Sequence, residues 1–524
     1  MCGFLFTEGS ISQKAFLEAF ACIQHRGPDQ SRIQTENWGT FGFHRLSIMD
    51  TSEHGMQPFD TPEVRMVCNG EIYNEQVFRD KYSDYQFKSG SDCETLIPLY
   101  LAKGGLMAKE LDAEFAFVLY DKARGKVIAA RDPIGIRPMF YGRLKENGLM
   151  AFASEAKALH PLCLDVAPFP PGHIYIEGTF RDYAKITEVT YSLDNMDQIL
   201  HKIRSGLTYG VKKRLMSDVP LGYLLSGGLD SSLVCAIAQK HTSVPIDTFA
   251  IGMEKDAIDL KYARQVADFI GSNHHEVTMT MDDVFEALHK VIYHLETYDI
   301  TTIRASMGMY LICRYIKENT DIKVLLTGEI SDELFGYKYT DFAPSGKEFQ
   351  DESLKRIREL YLYDVLRADR CIAAWSLEAR VPFGDLEFVR DVLAIKPELK
   401  MNTSGNGKYL LRKAFEDEKI LPTEILWREK AAFSDAVGHS MVDELKNYAN
   451  SKYTMEDVQQ AQSKYPWCPP QTPEALLYRE IFESYYPGRS SLIPAYWMPN
   501  STWPGCAVND PSARALSNYG DSGK

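Results

Sequence analysis

As far as residue 190 the chain is built of short apolar runs separated by turn residues. FGFHRLSIMD, VRMVCNGEIY, AEFAFVLYD, KVIAARD and LMAFASE are β-type stretches, rich in β-branched and aromatic residues. Helix-like stretches such as QKAFLEAFACIQ and ETLIPLYLAKG are fewer. The pattern predicts antiparallel sheet layers with helices packed outside them.

The pattern changes near residue 195. From DNMDQILHKIRSGLTYGVKKRLM onward helical periodicity dominates, interrupted by two short apolar strands, LGYLL and VLLTG. A recurring strand–turn–helix order predicts a doubly wound α/β sheet with parallel strands. The polar, irregular stretch 180–195 reads as a linker. From Tyr465 the chain turns loop-rich, in YPWCPPQTP and IPAYWMPNSTWPG, and a flexible tail is expected after Asn509. The expected division is therefore a domain over residues 2–190, a second over 195–490, and a loop-rich tail over 491–524.

The 524 residues are too many for one ordinary core, which agrees with two domains. The chain is 45% hydrophobic and 25% charged, with a net charge of −14. That balance argues against nucleic acid or an anionic membrane as partner, so an anionic substrate needs a local basic or amide-rich pocket. No apolar run is long enough to span a membrane, and ten cysteines lie scattered without a C-x-x-C pair. A cytoplasmic protein with reduced thiols is expected.

VPLGYLLSGGLDSSLVCAIAQ carries the strongest local signal. LGYLL reads as a buried strand, Ser226, Gly227 and Gly228 as the turn, and Ser231 and Ser232 as the opening of a helix. Amides at a helix start favour an anion, and glycines let the backbone approach phosphate oxygens closely. The serines add hydroxyl donors, and Asp230 among them could hold Mg²⁺ against a pyrophosphate. The bland alternative, a β-turn-α with a serine cap, fits a lone G-G better than the whole S-G-G-L-D-S-S. No G-x-x-x-x-G-K-[ST] occurs; GNGKY at positions 405–409 fails that pattern. Adenylation is therefore favoured over γ-phosphoryl transfer. S-G-G-x-D-S resembles the pyrophosphate loop of ATP pyrophosphatases that adenylate a carboxylate or carbonyl oxygen.

The chain opens MCGFLF. If Met1 is removed, Cys2 carries a thiol and a free α-amine together, a nucleophile with its own base. HRGPD, HRLSI, NGEIYN and GSDCE, beginning at residues 25, 44, 69 and 90, accompany it. Together they resemble the class II glutamine amidotransferases. A tetrahedral oxyanion at Cys2 needs fixed donors, which the Asn69 side chain and the Gly70 N–H would supply. Arg45 would pair with the glutamine carboxylate, and Glu71 and Asp92 with its ammonium. Singly, each residue has a dull explanation: a surface arginine, a turn at Asn69–Gly70, a helix cap at Asp92.

The two halves together resemble glutamine-hydrolysing asparagine synthetases over nearly the whole chain. RDPIGIRP, ASEAKAL and FPPG fit the end of the glutaminase domain. YHLETYDITTIRAS, YDVLRADR, AWSLEARVPF and WREKAAFSD fit the synthetase domain, and DPSARAL fits the tail. The resemblance implies a four-layer α/β/β/α N-terminal-nucleophile glutaminase followed by an α/β ATP-pyrophosphatase domain. It implies glutamine hydrolysis through a Cys2 thioester, passage of ammonia through an internal tunnel, and its capture by β-aspartyl-AMP. The substrates would be L-glutamine, L-aspartate and ATP with Mg²⁺, and the products asparagine, glutamate, AMP and pyrophosphate. Carried over by position, Asp230 and Asp332 would bind the metal, and Leu225 and Ile251 would flank the base. Thr327 and Gly328 would contact ATP, and Glu329 would act as general base. Thr301 and Arg304 would lie near the activated carboxylate and phosphates, and Lys430 would stabilise pyrophosphate charge. By analogy alone a homodimer is the expected assembly.

The match departs from the family where the synthetase site is expected. G-E-G-S-D-E-x-F-G-G reads here GEISDELFGYKY, so Ile330 and Tyr337 replace glycines. Gly384 replaces leucine in V-P-F-L-D, Met307–Gly308 replaces threonine–proline, and Ala431, Ala432 and Ala436 alter K-E-Q-F-S-D-G. A β-branched isoleucine resists positive φ, so either the backbone at 330 differs or substrate contact changes. Two alternatives stay open beside asparagine synthesis: amidation of another carboxylate by the same architecture, and a synthetase-impaired nucleotide-binding or regulatory relic.

Overall fold

The structure is a computed structural model that describes residues 1–254, 257–428 and 439–518. The chain divides into two compact units. The first comprises Met1–Glu188, Met216–Pro220 and Ala373–Ala379; the second comprises Val189–Leu215, Leu221–Ile372 and Arg380–Lys524.

The first unit is built on two six-stranded sheets. One runs, in spatial order, Cys163–Pro168, Phe140–Leu144, Met150–Ala153, Gly3–Glu8, Gly39–Arg45 and Gln30–Glu36. The other runs Thr179–Asp182, His173–Ile176, Lys126–Arg131, Ala113–Asp121, Val64–Ile72 and Phe59–Asp60. The period of two sorts their side chains into layers. Phe4 and Phe6 face the second sheet through a cluster with Phe43, Val67, Val118 and Ala129. Leu5, between them, faces outward onto Phe16 and Phe20 of the helix Gln13–Ala21. On the far side Met66, Cys68, Phe115 and Phe117 pack against Leu96, Ile97 and Leu99 of the helix Leu96–Lys103. The result is the α/β/β/α layering that the resemblance implied.

The second unit holds a five-stranded sheet in the order Asn273–Met279, Asp247–Met253, Leu221–Leu224, Val324–Leu326, Glu378–Arg380. The first four pair in parallel. Along the chain those four come third, second, first and fourth, so the strand order reverses between Leu221–Leu224 and Val324–Leu326. The loops leaving these two strands thus open side by side at the switch point of the sheet, where such folds bind ligands. Among the described residues no helix is long and apolar enough to cross a membrane.

Candidate active sites

In the first unit, Cys2 precedes the central strand Gly3–Glu8 and sits beside the strand Val64–Ile72 of the other sheet. Its N–H donates to Asn69 Oδ1 at 3.0 Å. The amide is thereby oriented, and Asn69 Nδ2, fully buried, has no hydrogen-bond partner among the described residues. A buried donor without an acceptor is costly unless a ligand supplies one. Gly70 follows on the same strand, where a Cβ would come within 2.5 Å of Glu114 O. Only glycine fits there. With Met1 in place, burial pushes the Cys2 thiol up to about 11, so it is held as the neutral thiol. The thiol donates to Leu46 O at 3.7 Å.

Arg45, at the end of Gly39–Arg45, is 3% exposed. Its guanidinium donates to Gln30 Oε1 at 3.0 Å, to Ser52 O at 2.6 Å and to Asp50 O. These acceptors are uncharged, so they fix the fork without neutralising it, as a site for a carboxylate requires. Glu71 and Asp92 are also buried. Asp92 Oδ2 accepts from Ile72 N at 2.7 Å, tying the GSDCE loop to the NGEI strand.

Arg26, in HRGPD, went unassigned in the sequence. It donates through Nε to Cys2 O at 3.0 Å and pairs with Glu155 at 2.7 Å. Glu155 also pairs with Lys157 at 2.7 Å. The motif was visible; what hid the role was that Glu155 arrives from 129 residues further along the chain.

In the second unit, the turn 226–228 leaves Leu221–Leu224 and enters the helix Leu229–Lys240. Gly227 has φ +70°, and a Cβ on it would lie 2.5 Å from Ala263 N. Ser226 Oγ and Ser231 Oγ are 3.0 Å apart and close the loop. The neighbouring strand Val324–Leu326 leads into Thr327, Gly328 and Glu329. A Cβ on Gly328 would sit 2.9 Å from Ser231 N, so glycine lets the two loops touch. A cavity of about 290 Å³ opens between them.

Leu225, Ser226, Gly228, Asp230, Ser231, Ile251, Thr301, Arg304, Thr327, Gly328, Glu329 and Asp332 all line this cavity. Gly227 and Ser232 are set behind its wall. Thr301 Oγ1 and Thr327 Oγ1 are buried without a partner among the described residues. Lys430 and the substitutions at Ala431, Ala432 and Ala436 lie outside the described residues.

Several charged residues of the cavity are held in ion pairs. Lys408 Nζ lies 2.6 Å from Asp230 Oδ2, 2.7 Å from Asp332 Oδ1 and 2.9 Å from Ser331 Oγ. Lys408 belongs to the GNGKY stretch that failed the phosphate-loop pattern, and it carries no local signal of this placement. Glu329 Oε2 accepts from Arg367 Nη2 at 2.6 Å, and Arg367 also reaches Asp364 at 3.2 Å. Burial raises the Glu329 pKa, against the opposing pull of Arg367. Arg304 is gripped by Glu474 and Asp510, at 2.5 and 2.9 Å.

Although isoleucine resists positive φ, Ile330 adopts a left-handed conformation, φ +80° and ψ −18°, and caps the helix Ser331–Phe335. Its side chain is 2% exposed, so apolar burial offsets part of the steric cost. Tyr337 lines the cavity and its hydroxyl donates to Glu333 Oε1 at 2.5 Å. Nothing in the structure explains the changes at Met307–Gly308 or Gly384.

The family model for the glutamine amidotransferase domain matches residues 1–170, and that for asparagine synthase matches residues 202–350 and 341–503. An asparagine synthetase [glutamine-hydrolyzing] of Cricetulus griseus is 42% identical, covering 96% of each chain. The enzymes of that name from Gallus gallus and Homo sapiens are 43% and 42% identical, each over 95% of both chains. With the fold, the two sites and this end-to-end match in agreement, the chain belongs to the glutamine-hydrolysing asparagine synthetase family.

Proposed function

We propose that the first unit releases ammonia from glutamine at Cys2 and that the second joins it to an adenylated aspartate, giving asparagine. In the first step the thiol attacks the glutamine amide, and the oxyanion takes the hydrogen bond that Asn69 Nδ2 lacks, with Gly70 N–H as second donor. Arg45 receives the glutamine carboxylate, and Glu71 and Asp92 its ammonium. Removal of Met1 leaves the Cys2 amine beside its own thiol, where it can take the proton that burial otherwise holds in place.

In the second unit, ATP lies with its phosphates on Ser226, Gly228 and Ser231, with Gly227 and Ser232 shaping the loop from behind, and with its base between Leu225 and Ile251. The aspartate carboxylate attacks the α-phosphate and pyrophosphate leaves. Thr301 and Arg304 hold the reacting anions, Thr327 and Gly328 contact the nucleotide, and Lys430 steadies the leaving charge. Glu329 removes a proton from the attacking ammonia, and its raised pKa suits that work. Mg²⁺ would be held by Asp230 and Asp332. Both reach the Lys408 ammonium within 2.7 Å, so they converge closely enough to share a cation, and a pair of carboxylates with phosphates suits this ion. Bound there it would offset phosphate charge.

One observation carries the synthetase reading. A single cavity is lined by Ser226, Gly228 and Ser231 of the loop and by Glu329, so a phosphate cradle and a partly buried base face the same space. The test is aspartate-dependent exchange of labelled pyrophosphate into ATP, with AMP as nucleotide product. Exchange with other carboxylates but not aspartate would redirect the reading, and nucleotide binding without exchange would end it.

A further inference from the structure

The last described stretch of the chain, residues 510–518, was expected to be loose. It is instead fastened to the second unit at several points. Leu516 packs in a cluster with Tyr339, Trp497 and Trp503. Asn518 Nδ2 donates to Lys338 O at 2.9 Å, and Arg514 pairs with Asp443 at 3.1 Å. Pro511, Ser512 and Leu516 line the synthetase cavity. Asp510, at the head of this stretch, reaches Arg304.

Every nitrogen of the Arg304 guanidinium is engaged. Nε and Nη2 donate to Glu474 at 2.8 and 2.5 Å. Nη1 and Nη2 donate to Asp510 at 2.9 and 3.4 Å. The two carboxylates differ in kind. Glu474 lies on the helix Pro473–Tyr485 with its side chain 4% exposed. Asp510 is 28% exposed, near the end of the chain, and shares its charge with Lys446. Glu474 is the fixed anchor and Asp510 the exchangeable partner. Four of its five N–H donors are spent on these two carboxylates, so a bidentate pair with an anionic substrate requires one of them to leave.

We propose that the Asp510 carboxylate is an internal stand-in for the anionic group of a substrate, carboxylate or phosphate, and that the tail releases Arg304 when that substrate binds. The inference rests on the proposed role of Arg304. One anion replaces another, so Arg304 stays neutralised throughout. The tail lowers apparent affinity by the fraction of molecules in which it occupies the arginine.

The test is Asp510→Asn in the full chain, with ammonia as nitrogen source and aspartate and ATP varied separately. Glutamine hydrolysis is measured alongside as a check on folding. KM for one substrate is expected to fall roughly threefold to tenfold with kcat not reduced. A fall for aspartate identifies a carboxylate on Arg304, and a fall for ATP identifies a phosphate. Asp510→Glu, which keeps the charge, should retain the parent KM. Unchanged or raised KM for both substrates, or lowered kcat alone, would overturn the proposal and make Asp510 a structural wall. Calorimetric titration of aspartate and of ATP reads the same ratio without turnover. A parent chain that makes no asparagine would therefore end the proposed function, while the binding ratio still decides the role of Asp510.

Discussion

The two sites prepare for their substrates in opposite ways. In the first unit Asn69 Nδ2 is buried without a partner among the described residues, and the Arg45 guanidinium, although it donates through both Nη atoms, donates only to uncharged oxygens. In the second unit most of the cavity's charge is already paired: Lys408 with Asp230 and Asp332, Arg367 with Glu329, Arg304 with Glu474 and Asp510, whereas Arg412 is held by the carbonyls of Gly407 and Leu426. Amide hydrolysis handles one small oxyanion, and a preset donor serves it at no cost in reorganisation. Adenylation must gather a triphosphate and a carboxylate in one cavity. Held free of ligand, such a concentration of charge is tolerable only if its members neutralise one another. The first site should therefore break when a donor is lost, the second when an internal pairing is lost.

The largest expected effect follows from the unfilled donor. Asn69→Ala should lower kcat for glutamine hydrolysis by about a hundredfold to a thousandfold, as removal of one oxyanion donor does. Ammonia-dependent asparagine formation should be untouched. An equal loss in both assays would erase the distinction between the sites. Next comes Lys408→Met, which leaves Asp230 and Asp332 facing each other. Lys408 is almost wholly buried while both carboxylates retain some exposure, so the loss in unfolding free energy should be about 3 kcal/mol, at the low end for a broken buried pair. Chemical denaturation measures it, and restoration of part of the loss by Mg²⁺ would support a shared cation position.

A smaller effect concerns proton balance at Glu329. Burial raises its pKa and Arg367 lowers it, so Arg367→Met should raise it further. Glu329 acts as a base only when ionised. The acid limb of the ammonia-dependent rate, measured at constant free ammonia, should then move to higher pH, by about one unit or more. Movement to lower pH would show that Glu329 is not the group being read. The smallest effect is at Ile330. Replacing it with glycine loses apolar burial but relieves the left-handed strain; replacing it with alanine loses burial and keeps the strain. Ile330→Ala should therefore be less stable than Ile330→Gly by about 1 kcal/mol in thermal or denaturant unfolding. The reverse order would mean that the positive φ is not strained.

How far all this was legible in the sequence follows the same division. The strands Gly39–Arg45, Val64–Ile72 and Ala113–Asp121 stand out because they are long and almost wholly apolar where they face other layers. The parallel strands Asp247–Met253 and Asn273–Met279 did not; the second, NHHEVTM, lies at the sheet edge and reads as a polar loop. In the first unit the residues around Cys2 come in contiguous motifs, because β-strands deliver neighbouring residues to one place. In the second, the Ser226–Ser232 loop and Glu329 were visible for that reason. Lys408 and Asp510 were not, since each meets its partner across 178 and 206 residues and neither has a pattern of its own. Pairings that neutralise charge at a distance leave no local trace.

The most direct test of the account is the split between nitrogen sources. Asparagine and pyrophosphate are measured from aspartate and Mg-ATP, with glutamine or with ammonia, in the parent chain and in Cys2→Ala. The account predicts asparagine from both sources in the parent and from ammonia alone in Cys2→Ala. Glutamate release without asparagine from either source would contradict it, leaving a working glutaminase beside a second unit whose substrate is not aspartate.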